Sequence, residues 1–314
     1  MDNLQKLPGS QETSQMSAEM LESLKKREKE LKRRKIRQNL SMFFHNKRAV
    51  FGTILLMLFI VMALVVPQFY EYHHDAYALG PRVGAPTDKY VLGFDEMGRD
   101  VMGILIYGAR ASLAIGVLVT LIIAVVGSVV GISSAYFGGL YDTIVMRITE
   151  AFMMVPSLPL MMVLAAIVGQ KFSNIIWILG LTGWTGTARL VRAQALSIKQ
   201  RSYIERARAV GASEWYIMYK HILPNVFPLI FAELVLTVQN AIISETTLAF
   251  LGIGDPTIPT WGQLLRSARA EGAVSGGALW LFIPAGICIV LLASSFVFIG
   301  YGFDEILNPR LRRR

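Results

Sequence analysis

The chain is 314 residues long and 54% hydrophobic with a mean hydropathy of +0.48, too apolar for an ordinary soluble domain and too long for one membrane span. Its net charge of +9 would suit a nucleic-acid binder, but most of the 31 Lys and Arg fall in segments expected on one side of a membrane, the positive-inside asymmetry. The one cysteine, Cys288, lies in an apolar run; it excludes an intrachain disulfide framework and a thiolate metal cage and reads as a small buried hydrophobe.

Residues 1–19 are polar without period and are expected to be disordered, the start of a basic cytoplasmic arm over 1–48. Eleven of residues 25–48 are basic, and Glu28 with Lys32 and Glu30 with Arg34 stand at i,i+4 with the acid first. That spacing predicts a solvated helix leading to Leu40, Met42, Phe43 and Phe44 at the interface. Attraction to membrane lipid is the preferred reading, with no nucleic acid bound. Nothing like a small-residue cleavage site follows, so the segment reads as an uncleaved anchor.

Residues 49–66 carry no charge, and as a helix they would rise about 27 Å, enough to span. Pro67 ends this first span, and 67–111 are expected as an external loop. His73-His74-Asp75 lies in it; adjacent His side chains point apart and a metal wants three or four convergent ligands, so no metal is expected here. In the stretch from Val91 to Asp100, Gly98 permits a tight turn while Asp95, Arg99 and Asp100 are placed to pair with each other or a neighbour. A structural role is favoured over contact with substrate.

The five-helix core is expected over 112–303. A second span, 113–135, carries Gly116 and the pair Gly127 and Gly131 at the spacing that lets helices approach closely. A third, 144–168, should be kinked by Pro156 and Pro159 and line a cavity, with Arg147 and Glu150 pairing at its inner end. The fourth, 175–188, is short and glycine-rich.

A polar cytoplasmic segment, 189–225, comes next. Residues 202–210 are rich in helix formers, Gly211 can take positive φ and stop a helix, and Ser213 can N-cap a second one with Glu214 in its first turn. Glu205 is expected to help hold the two helices together, and Pro224 to break the backbone before the fifth span, 226–243. That span contains Glu233, Gln239 and Asn240. A carboxylate facing lipid costs roughly 2.5–3.5 kcal/mol, so Glu233 should face the bundle or a water-filled path, with an interhelical hydrogen bond and a path role equally open. Gln239, Asn240 and Pro156 complete the path candidates. A second external loop, 244–277, a sixth span, 279–299, and a basic cytoplasmic tail, 304–314, finish the chain. The expected fold is an all-α integral membrane protein of six transmembrane helices with both termini in the cytoplasm.

Glu205-x-Ala207, then Gly211, then Leu223-Pro224 resemble the cytoplasmic EAA loop of inner-membrane permeases of ATP-binding-cassette importers. Arg206 stands where an Ala is usual and His221 where an Ile is usual; the ending His221 to Asn225 is similar to the peptide and nickel branch. The stretch from Val91 to Asp100 resembles that branch's Leu-Gly-Thr-Asp-x-x-Gly-Arg-Asp motif, with Phe94 for the Thr. Glu245 to Gly254 followed by Trp261-Gly262 resembles its partly buried external segment, and Leu307 to Arg310 its terminal Leu-Asp-Pro-Arg, with Asn308 for the Asp. The resemblance covers nearly all of the chain from Ala49 onward.

It implies a type I importer permease fold and a non-catalytic, C-type permease subunit in the inner membrane of a prokaryote, forming the translocation path. It implies that Glu205, Ala207, Gly211, Ala212, Ser213, Glu214, Tyr216, His221, Leu223 and Pro224 dock on a groove of an ATPase subunit. The implied partners are a second homologous permease, two cytoplasmic ATP-binding-cassette ATPases and an external substrate-binding protein. ATP and Mg would sit on the ATPases and no cofactor on this chain, which has no Gly-x-x-x-x-Gly-Lys-Ser/Thr phosphate loop. Oligopeptides or dipeptides are the expected cargo, with nickel or another small solute as the alternative. An ion-coupled secondary transporter is disfavoured because the first and last three spans show no repeat. A scaffold or sensor would leave Glu233 and the kinked third span without purpose.

Overall fold

The computed structural model describes residues 24, 26–27, 29–31, 33–34, 37–38, 40–72, 78–272 and 275–307. Glu28, Lys32, the His73-His74-Asp75 trio and the terminal Asn308 to Arg310 lie outside them. Among the described residues ten α-helices follow Asn46: α1 (Lys47–Leu64), α2 (Val101–Phe137), α3 (Gly139–Met154), α4 (Ser157–Val168), α5 (Phe172–Lys199), α6 (Ser202–Ala209), α7 (Glu214–Ile217), α8 (Leu223–Phe250), α9 (Trp261–Ala270) and α10 (Leu279–Leu307). Extended pairing among the described residues is limited to one bridge, Phe94 with Asp100. By length and composition α1, α2, α8 and α10 can each cross a membrane, and α3 with α4 would make a fifth crossing as one broken span.

Helix α1 starts where the Asn46 side chain accepts from the N–H groups of Arg48 (3.0 Å) and Ala49 (3.2 Å), and Asn46 Nδ2 donates to Glu305 of α10 at 2.7 Å. At the other end of α1 the Ala63 carbonyl, one of the last four that a helix leaves without an internal partner, accepts from Arg110 Nε at 2.6 Å. This contact explains why α2 is longer than its sequence implies. Arg110 reads as the polar edge of a span beginning at 113, yet its charge is held against α1 and its guanidinium lies over the Tyr107 ring, so the helix continues back to Val101. Asp100 then caps it, accepting from Met102 N (3.1 Å) and Gly103 N (2.9 Å), and Gly138 at φ +68° ends it.

Helix α2 packs along α5 through glycines. A Cβ on Gly131 would stand 2.5 Å from the Ala188 carbonyl oxygen, and one on Gly127 2.8 Å from Thr187 Cβ. We expect Gly131→Leu to lower the melting temperature sharply and cut the folded yield, since overpacking costs about 1–3 kcal/mol even where side chains can yield, and here the obstacle is backbone. Thermal unfolding of the purified variant, with Ser133→Ala as a control on the same helix, measures it.

The expected third span is two helices. Val155 takes extended backbone (ψ 125°) before Pro156, and α3 and α4 meet at 91°. A kink was expected; the turn is sharper because a residue preceding proline disfavours the helical region and proline donates no backbone N–H. Helix α5 runs past the expected 188 to Lys199: Arg192 reaches Asp142 of α3 (Nε 2.6 Å, Nη2 2.5 Å), and Lys199 Nζ donates to the Ala135 carbonyl (3.1 Å). Nor does Pro224 break the chain. The backbone stays helical from Glu214 to Phe250, widening to a π-turn over Met218–Ile222 just before the proline, which sits in the first turn of α8 where its missing N–H is tolerated.

Two ends emerge. At one, Asn46 meets Glu305, Phe231 of α8 meets Phe303 edge-on (4.9 Å), and the Asp142 and Arg192 pair joins α3 to α5; the polar segment 200–222 sits here. At the other, Arg82 pairs with Glu271, Phe172 N donates to Asp255 Oδ2 (2.9 Å), and Trp261 enters the core formed by α1, α2 and α10. The stretch 244–277, expected as a loop, is therefore about half helical: its first seven residues complete α8, and α9 packs back against it.

Asp255 fastens one part of this second end. It accepts from Phe172 N and from the Thr257 N–H (3.0 Å) and hydroxyl (2.6 Å). Burial is the largest single influence and pushes its pKa up, but these hydrogen bonds together with the Lys171 charge outweigh it and hold the carboxyl below its ordinary value. A carboxyl lowered on folding contributes stability above its unfolded pKa and loses it as pH falls through the folded one. Protection of the Phe172 amide from hydrogen exchange, corrected for intrinsic rate, should therefore fall below about pH 4, and the fall should be absent in Asp255→Asn.

Candidate coupling surface and path residues

The polar segment is rooted from below and bare on top. Ile204 of α6, Ile217 of α7 and Ile222 of the π-turn are fully buried against Val191, Ala195 and Ile198 of α5, so the helix pair cannot swing without opening an apolar core. The turn between α6 and α7 is closed by Val210 N to Arg206 O (3.1 Å), Gly211 N to Arg208 O (2.9 Å) and Ala212 N to Ala207 O (3.1 Å). Gly211 sits at φ +81° with nothing within 4 Å of a would-be Cβ, so the glycine is needed for its backbone angle and not for space. Ser213 caps α7 by accepting from Tyr216 N (3.3 Å), and Glu214 occupies the first turn.

Ala207, Ala212 and Leu223 are half-buried against the core, whereas Glu205, Gly211, Ser213, Glu214, Tyr216 and Pro224 are exposed. His221 lies against the Tyr216 ring (5.6 Å, edge-on) and near that of Tyr203 (6.2 Å). One expectation needs correcting: Glu205 does not tie the helices together. It is exposed, with no hydrogen bond or ion pair among the described residues, and the joining is done by buried isoleucines and the turn's backbone bonds.

The sequence reading passed over the apolar part of this surface. Val210, Trp215 and Tyr219 are 86%, 74% and 75% exposed, flanking the polar positions, and Trp215 and Tyr219 also wall a groove of about 670 Å³ against Val129, Ile132 and Phe137 of α2. Large apolar residues set in an otherwise polar stretch were the available signal. A rigid helix pair presenting such a patch beside free carboxylates can act as a docking knob.

The path candidates are not gathered into one site. On α8, Glu233 is half-buried and engaged with a neighbour, Gln239 is half-buried and Asn240 exposed, while Pro156 lies exposed at the bend between α3 and α4. The segment from Val91 to Asp100 forms a folded cap. Asp95 is fully buried and accepts from Met97 N (2.9 Å), Arg99 N (2.8 Å) and Arg99 Nε (2.7 Å), with Arg99 Nη2 at 2.6 Å. Gly98 turns at φ +69° with the Gly80 carbonyl oxygen 2.6 Å from where a Cβ would stand. Tyr70 donates to Asp100 Oδ2 at 2.5 Å; burial first, and then this carboxylate, push the phenol's pKa up. The Asp95 and Asp100 carboxylates are thus bonded inside the cap.

Residues 127–313 match the family model of the binding-protein-dependent transport system inner membrane component, and residues 36–82 that of the N-terminal TM domain of oligopeptide transport permease C. The chain is 34% identical over 273 residues to the oligopeptide transport system permease protein OppC of Bacillus subtilis, covering 86% of this chain and 88% of that one. It is 36% identical over 270 residues to the dipeptide permease DppC of the same organism (85% and 83% covered) and 31% identical over 272 residues to the glutathione permease GsiD of Pectobacterium atrosepticum (86% and 89%). Among solved structures, an inward-facing form of the MetNI methionine ABC transporter matches with TM-score 0.53 at 23% identity, over 68% of this chain and 98% of that one, a likeness of fold.

Proposed function

Because the chain belongs to the family of inner membrane components of binding-protein-dependent transport systems, we propose that it is the C-type permease subunit of an ATP-driven peptide importer. It crosses the membrane six times with both termini inside, binds no cofactor and performs no catalysis. A second, homologous permease completes the path, two cytoplasmic ATPases hold ATP and Mg, and an external binding protein selects an oligopeptide or dipeptide. The relatives of known cargo support the peptide reading.

The observation that carries the mechanism is the patch of Val210, Trp215 and Tyr219 on a helix pair pinned to the core. A groove on an ATPase that closes on this patch buries apolar surface, and because Ile204, Ile217 and Ile222 anchor the pair to α5, movement of the knob moves the transmembrane bundle with it. In this reading α3 and α4, which bury few of their residues, wall the path: Thr149 is buried in the first, and Met161 and Ala165 in the second.

The test is to isolate the tagged chain from its native membranes in mild detergent and identify what travels with it by mass spectrometry. Subunits bearing the phosphate-loop signature are expected with the parent chain, and their loss is expected on combining Val210→Ser, Trp215→Ala and Tyr219→Ala. Unchanged recovery of the ATPase with this triple variant would remove the knob from the interface.

A further inference from the structure

Resting on the peptide-permease reading above, we infer that Arg189 is the point in the path that receives the C-terminal carboxylate of the peptide, at the bend between α3 and α4. Arg189 lies on α5, seventeen residues beyond Phe172 and therefore about 25 Å along the helix; with α5 as one of the six crossings proposed above, that sets it toward the inner edge of a hydrocarbon core about 30 Å thick. It is exposed, and its Nη1 donates to the Met153 sulfur at 3.5 Å. A thioether is a weak acceptor, whereas a guanidinium presents five N–H donors in a fork suited to a carboxylate. No carboxylate lies within ion-pair distance of it among the described residues. The neighbouring cations differ: Arg192 is bonded twice to Asp142, Arg147 pairs with Glu150 at 2.9 Å, and Lys199 holds the Ala135 carbonyl.

The surroundings of Arg189 narrow what it receives. At the bend Phe152, Met153, Met154 and Val155 are all exposed, Phe152 being steadied by the buried Trp184 of α5 (ring centroids 6.0 Å apart). This surface is apolar, polarisable and, at the methionines, adaptable, so it can lie against side chains of differing shape. A single unpaired guanidinium beside it supplies one fixed point. A short peptide has this pairing of parts, variable side chains and one constant terminal carboxylate. Turned toward hydrocarbon, the same guanidinium would stand at a cost that a water-filled path removes. A phospholipid headgroup offers a phosphate of similar chemistry at this depth, and the experiment separates the two.

The full importer, with its binding protein, is reconstituted in liposomes, and initial uptake of trialanine is compared with that of trialanine amide. Losing a hydrogen-bonded charge partner is worth about tenfold or more, so the ratio of trialanine to amide uptake should fall by at least about tenfold in Arg189→Gln and by less in Arg189→Lys. An unchanged ratio, whether both rates fall together as lipid or packing defects would make them or neither falls, overturns the proposal. A second measurement needs no amide. In a Cys288→Ala background, maleimide modification of Met153→Cys should be slowed by trialanine-loaded binding protein and ATP when Arg189 is present and not when it is Gln. Equal slowing in both also overturns it. Were the unaltered assembly to import no trialanine, the peptide reading itself would fail; import that ignores Arg189 sinks this inference alone.

Discussion

Gly211→Val and Glu205→Lys should each abolish uptake while expression and membrane insertion persist. The two act differently. At φ +81° a side chain with a Cβ costs about 1–2 kcal/mol, and a β-branched residue is a marked outlier there. Nothing crowds the position, so the strain is relieved by moving the turn, and α7 with Trp215 and Tyr219 is re-aimed. Because Ile204 and Ile217 still bury, the fold survives the change. If the proposed nucleotide-driven motion passes through this junction, a misplacement of about 1 Å is enough to matter. Asn tolerates the left-handed region, so Gly211→Asn should recover uptake, an outcome that a loss through bulk would not produce. Glu205→Lys alters no contact within the described chain; its effect must arise where a partner meets the exposed carboxylate, and ATPase subunits should dissociate or hydrolyse ATP without responding to loaded binding protein. Normal uptake in both variants, with ATPase still bound, would reduce the loop to a passive linker.

Trp261→Ala should be the most destabilising single change outside that surface, by about 3–5 kcal/mol. The side chain is fully buried, its indole N–H donates to the Leu105 carbonyl at 2.9 Å, and its ring stands 5.6 Å from that of Phe59, so one residue joins α9 to α1 and α2. Gly108 gives it room: a Cβ there would lie 2.9 Å from the indole. Removing the indole leaves a cavity where α9 meets α1 and α2. A drop in melting temperature of at least about 6 °C in detergent is expected, with Trp261→Phe falling less. A shift under about 1 °C for Trp261→Ala would mean that α9 is only resting on the bundle.

Several features were legible because they are local. Gly211, Ser213 and Glu214 announce a stop, a cap and a first turn within four residues, and the structure places each in that role. Gly127 and Gly131 announce a close approach, and the Ala188 carbonyl supplies it. The Asp95 to Asp100 segment carries its own partners a few residues away.

What misled was each residue whose partner is far along the chain. Arg110 reads as an edge until the Ala63 carbonyl, forty-seven residues earlier, accepts a hydrogen bond from it; Arg192 reads as loop until Asp142 neutralises it. Pro224 and Pro156 are both breakers by composition, yet one is absorbed by a π-turn in a backbone already helical on either side and the other forces a 91° bend. The sequence by itself therefore determined the apolar helices, the asymmetry of charge, the turn chemistry of the polar segment 200–222 and the family, since these depend on neighbours in the chain or on composition. The tertiary structure alone decided where α2 begins, that α3 and α4 part, that Trp261 is core, and that Arg189 is left with a thioether, because the state of a charge or a proline in a bundle is set by whichever atom packing brings within reach.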